Sequence, residues 1–173
     1  MMVFWHSLVV LALLLPGAHL AVATGPEDAT APARAAFERL KTLAGQWEGT
    51  TSTGEKGSVS YRVTAAGSVV IETDFPGTEH EMLTLYYLDG DRLVRKHHCV
   101  MGNQPEMTLD PQRSTQDTLF FGFSGGTNLD PAKDAHVHEG WVKFLEDGRM
   151  ELDWTGFEGG KKAGANTFYL SRK

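Results

Sequence analysis

Cysteine is nearly absent from this chain: Cys99 is the only one. An internal disulfide is therefore excluded, and the fold must draw its stability from burial and backbone hydrogen bonding. Arginine and lysine form no block, 22 acidic residues outnumber 16 basic ones, and the formal net charge is −6. That balance opposes attraction to nucleic-acid phosphates and excludes nucleic acid as an expected partner. After residue 23 no apolar run approaches the roughly 20 residues of a transmembrane helix, so no integral membrane domain is expected in the mature chain. Phosphate-binding glycine loops are missing as well. Gly125-Gly126-Thr127-Asn128 and Gly159-Gly160-Lys161-Lys162 lack the Gly-x-x-x-x-Gly-Lys-Ser/Thr spacing and read as flexible loops.

The first 23 residues contain no Asp, Glu, Lys or Arg. Ser7 to Leu15 has the length of a signal-peptide apolar core, and Leu20-Ala21-Val22-Ala23 offers small residues where a signal peptidase cuts. The expectation is a cleaved signal over residues 1–23 and a periplasmic or secreted product. Residues 24–33 are rich in Ala, Pro and Thr and read as a flexible lead-in. Residues 34–173 then form one domain. Phe37, Leu40, Leu43 and Ala44 recur at helical spacing after Pro32, and Gly45 can end the segment, which predicts one short amphipathic helix.

Downstream the period shortens and turn residues multiply. Strands are expected over Gln46–Thr51, Ser58–Thr64, Ser68–Phe75, Met82–Leu88, Arg92–Val100, Glu106–Leu109, Thr118–Phe123, His136–Leu145, Arg149–Phe157 and Asn166–Leu170. Ala65-Ala66-Gly67, Asp89-Gly90-Asp91 and Glu146-Asp147-Gly148 are short enough for antiparallel hairpins. One helix cannot supply the crossovers of a parallel sheet, so the class is mainly β. Alternation puts Val59, Tyr61 and Val63 on one face, and Met150, Leu152 and Trp154 on another. Glu151 with Asp153, and Glu72 with Asp74, are assigned to solvent faces. A closed barrel would remove the sheet edges and leave room for side chains or one small ligand.

The run Leu43-Ala44-Gly45-Gln46-Trp47-Glu48-Gly49-Thr50, a helix end leading into Gly-x-Trp, resembles the opening of the lipocalin and wider calycin superfamily. The resemblance implies an antiparallel lipocalin-like barrel of about ten strands, with Trp47 closing one end and Arg172 stacked on it. A narrower resemblance, over Met82 to Pro105, is to a group of small uncharacterised bacterial proteins that carry His-Tyr-Cys before Gly-Asn-Gln-Pro. Here His98 replaces the tyrosine. That group supplies no established chemistry, and no cofactor follows from it.

The reactive residue types gather at His97-His98-Cys99. Strand geometry puts His97 and Cys99 on one face and His98 on the other. His136 and His138 likewise share a face, so His97, Cys99, His136 and His138 form a candidate tetrahedral set for zinc or cuprous copper. For a noncovalent ligand, small and hydrophobic or amphipathic, the expected contacts are His97, Cys99, Gln104 and His138. Thiol catalysis is disfavoured because alternate strand residues stand about 6–7 Å apart. No catalytic set is identified. Gly102 is expected to permit a tight turn that Asn103 caps. The function classes left open are a small-molecule binder, a metal-binding protein or metalloenzyme, and a structural or protein-interaction barrel with no ligand.

Overall fold

A computed structural model describes residues 30–173. The expected signal segment and residues 24–29 of the lead-in lie outside the described residues. Helix α1 spans Ala31–Lys41, with Pro32 in its first turn and Arg39 and Lys41 in its last. Proline fits there because first-turn amides have no intrahelical acceptor, and the basic residues complement the negative helix end. The helix therefore starts three residues before Arg34, and Ala33 is buried with Ala36, Phe37 and Leu40. Among the described residues no helix is long and apolar enough to cross a membrane.

Ten strands follow: β1 Gly45–Thr51, β2 Lys56–Thr64, β3 Val69–Asp74, β4 Met82–Asp89, β5 Arg92–His98, β6 Gln104–Leu109, β7 Thr118–Thr127, β8 His136–Phe144, β9 Met150–Glu158 and β10 Lys161–Arg172. Each pairs antiparallel with its sequence neighbours, and β10 closes on β1 to complete a barrel. Four strands run at least two residues longer than their periodicity indicates: β2 starts at Lys56, β6 starts at Gln104, β7 continues through Gly125 and Gly126, and β10 starts at Lys161. The ladder supplies backbone partners where side-chain pattern gives no signal. β5 is shorter than expected. It stops at His98, and Cys99 begins a turn in which the Gly102 N–H donates to Cys99 O at 3.0 Å. Gly102 has φ +84°, the left-handed conformation its position demands.

Up-and-down topology sorts the connections to two ends. Helix α1 leads into β1 and packs against β2, β4 and β5 at one end. Trp47 is buried there, its Nε1 donating to Leu43 O at 2.8 Å. Arg172 stacks at 4.5 Å from the indole centroid and donates to Ala44 O and Thr42 O. The stack ties the last strand to the first and to the helix. Strand alternation then fills the barrel with Val59, Val70, Tyr86, Leu93, Phe121, Leu152 and Phe168. The opposite mouth is formed by residues 52–55, 75–81, 99–103, 128–135 and 159–160.

Closure requires close approach at Gly49, where an added Cβ would lie 1.9 Å from Tyr169 O of the paired strand. Gly49→Ala is expected to destabilise the barrel by about 1–3 kcal/mol through this overpacking. A lowered urea midpoint with unchanged slope would register it.

Candidate functional site

Two adjoining layers at the open half of the barrel hold the chemistry. The inner one grows from β2, β3, β4 and β5. Registers Tyr61↔Glu72 and Tyr86↔Arg95 put these four side chains in the same interior layer. Tyr61 and Tyr86 both donate to Glu72 Oε2, at 2.6 and 2.7 Å. Arg95 Nη2 lies 3.7 Å from Glu72 Oε1, and both side chains are 0% exposed. The guanidinium carbon is 5.9 Å from the ring centroids of Tyr86 and Phe121. Gly140 makes room for it: a Cβ there would meet Arg95 Nη1 at 2.8 Å.

Glu72 and Asp74 are thus interior residues, a correction to their assignment to a solvent face. Burial, reinforced by the Glu72 carboxylate, holds the Asp74 carboxyl well above its usual range. A charged group removed from water without partners favours its neutral form. Neither Asp74 oxygen makes a hydrogen bond within the protein. Asp153 is also buried rather than solvent-facing, and it accepts from Thr155 Oγ1 at 3.0 Å and Thr167 Oγ1 at 2.9 Å. Its neighbour Glu151 meets Lys143 at 3.5 Å.

His97 lies above this centre, toward the mouth. Its Nδ1 is 2.9 Å from Thr84 Oγ1, and its ring packs tilted against Trp154 with centroids 5.3 Å apart. Burial, with Arg95 nearby, lowers its pKa to about 3, so the imidazole is neutral at physiological pH. His97 Nε2 and Trp154 Nε1 are buried without a hydrogen-bond partner in the protein. Each such atom costs about 1–3 kcal/mol unless water or a ligand meets it.

The outer layer is a cleft of about 420 Å³. Cys99, Met101, His136, Val137, Trp154 and Phe157 line one part of it, and residues 163–166 of β10 the other. Most of this wall is apolar. A further cleft of about 330 Å³ lies between α1 and the β6–β7 loop. Its one charged wall residue, Arg39, is already bonded to Asp117, and no unpaired buried polar atom faces it.

The expected site residues separate in an informative way. Cys99 and His136 share the cleft, whereas His97 reaches it only through its ring contact with Trp154. His98 lies outside this cluster, paired in register with Leu83. A register shift between Val137 and Glu139 lets His138 meet His136, with His136 Nε2 3.0 Å from His138 Nδ1. The Asp134 carbonyl, 2.8 Å from His136 Nδ1, can only accept, so Nδ1 carries the proton and Nε2 accepts from His138. His138 is sandwiched between Phe123 at 4.6 Å and Phe157 at 3.9 Å. Burial, then proximity to His136, lowers its pKa. The two imidazoles are therefore engaged with each other and with aromatic rings. Among the described residues no group of three or more His, Cys, Asp or Glu is arranged to hold a metal ion, and the set His97, Cys99, His136 and His138 does not assemble.

Gln104 is tied into its own loop. Its Oε1 accepts from Thr127 Oγ1 and Asn128 Nδ2, and its Nε2 donates to Gly102 O. Residues missed as site candidates are Glu72, Asp74, Arg95, Asn103 and the Trp154 N–H. Only Arg95 carried a signal, through its strand phase with His97. No family model matches this chain, and the comparison with curated proteins returns no match.

Proposed function

We propose that this chain is an exported, lipocalin-like barrel that binds one small amphipathic molecule at the mouth opposite α1. The observation carrying this reading is the apolar cleft of about 420 Å³ whose wall includes Trp154, an indole with an unpaired buried N–H. Ligand sites are typically concave, largely apolar and equipped with a few convergent polar groups. His97 Nε2, buried behind Trp154, is a second unpartnered polar atom next to the cleft wall, on a ring that stays uncharged. The Trp47–Arg172 closure supports the lipocalin-like assignment, and the signal-like segment before Thr24 supports export.

Native mass spectrometry on protein purified without denaturation from its own compartment tests both parts. The expected species begins at Thr24 and carries one organic adduct per chain. Ala165→Trp, a substitution at an exposed wall position, should fill the cleft and reduce occupancy at least tenfold. A wild-type chain that binds neither an endogenous molecule nor an apolar fluorescent probe would refute the binding reading.

A further inference from the structure

Resting on that reading of the apolar cleft, we infer that the bound molecule carries a cationic, ammonium-type head group, held in a second pocket beside the cleft. This pocket, about 440 Å³, shares Met101 and Ala135 with the apolar cleft, so one molecule can span both. Its remaining walls are Asn103, Asn128, Lys133, Asp134 and Glu158.

The polar groups left available there are acceptors. Asn103 is only 5% exposed, and its Nδ2 donates to Ala135 O at 2.8 Å. That bond fixes the amide orientation and leaves Oδ1, which has no hydrogen-bond partner in the protein. Each donor side chain in the wall already holds an acceptor. Asn128 Nδ2 donates to Gln104 Oε1 at 3.2 Å, and the Lys133 amine meets Asp130 Oδ2 at 2.7 Å. Asp134 Oδ2 accepts the Asp130 N–H at 2.7 Å, which aims its carboxylate locally without neutralising it. Among the described residues Glu158 makes no ion pair, although Lys161 stands opposite it across the β9–β10 hairpin.

In the wall Asp134 and Glu158 outnumber the one amine, Lys133. An anionic head group would meet this excess negative charge, and the Lys133 amine is already paired with Asp130. A neutral head would leave the charge unmatched. An ammonium supplies three donors and a positive charge to Asn103 Oδ1 and the two wall carboxylates.

Titration calorimetry with three ten-carbon amphiphiles, decylammonium, decanol and decanoate, tests the assignment on the intact mature chain below their aggregation concentrations. Decylammonium is expected to bind at least tenfold more tightly than decanol, with decanoate weakest. Glu158→Gln, at an exposed position, should weaken decylammonium threefold to tenfold and leave decanol unchanged. Equal affinities, or no response to Glu158→Gln, overturn the head-group assignment while leaving the apolar binding site intact. Binding of none of the three removes both readings.

Discussion

Arg95→Met is expected to destabilise the barrel by about 3–5 kcal/mol, the range for breaking a buried ion pair from one side. That loss is a large share of the roughly 5–15 kcal/mol that stabilises a typical domain. The residue is wholly buried and, among the described residues, is the sole cation beside Glu72 and Asp74, both also 0% exposed. Its removal leaves Glu72 with only the two tyrosine hydroxyls at Oε2 and nothing at Oε1. Adding Glu72→Gln to Arg95→Met should recover much of the loss. It removes the stranded charge while keeping an oxygen for one tyrosine. Urea unfolding followed by tryptophan fluorescence gives both values. A single-variant cost below about 1 kcal/mol, or a double variant no more stable than Arg95→Met, would show that the two side chains are not energetically coupled.

The interior centre also marks where sequence reading stops. Ten strands, one helix and the inward set Met150, Leu152 and Trp154 follow from hydrophobic period and turn residues, the Trp47–Arg172 closure follows from the resemblance to lipocalin-like barrels, and the barrel contains them all. β3 defeats that logic. Val69, Val70 and Ile71 are apolar on both faces, so nothing local says which of Glu72 and Thr73 points inward. Only the register with Tyr61 on β2 and Thr84 on β4 puts Glu72 inside, where the tyrosine hydroxyls wait. Asp153 is hidden by a similar nonlocal effect, since its burial depends on Thr167 in β10.

The mouth shows a second limit. His97 and Cys99 do lie on the phase expected from alternation, but β5 ends between them, and the turn carries Cys99 to the cleft while His97 stays in the core. The β8 bulge turns His138 toward His136 and the aromatic rings. Bulges re-aim single side chains without changing composition. Convergence of four ligands from β5 and β8 therefore depended on geometry that spacing does not encode.

Two buried titratable groups at this level should make the pH dependence of stability decomposable, with opposite signs. His97 has a native pKa of about 3 against an ordinary 6.5, so below pH 6.5 the unfolded chain takes a proton that the native chain refuses. Its contribution is present above pH 6.5 and is lost as pH falls toward 3. Asp74 is shifted upward from 3.8 by burial, reinforced by Glu72, so above that value the unfolded chain loses a proton that the native chain keeps. Its contribution is present below 3.8 and is lost as pH rises toward the native pKa. Each group acts with a limiting slope of about 1.4 kcal/mol per pH unit. Above about pH 4 the two slopes oppose each other until the pH reaches 6.5 or the raised native pKa of Asp74, whichever comes first.

Asp74→Asn replaces a neutral acid by a neutral amide of the same shape. Relative to wild type it should gain stability progressively as pH rises above 4, by up to about 1.4 kcal/mol per pH unit until the native pKa is reached. His97→Gln should show the mirror image, gaining relative stability as pH falls below 6.5. Urea midpoints for the three proteins across pH 4 to 8, taken as differences so that exposed groups cancel, measure both slopes. Parallel curves for Asp74→Asn and wild type would mean that Asp74 ionises in the native barrel. In that case Arg95 would have to answer two interior carboxylates, and the estimate for Arg95→Met would rise accordingly.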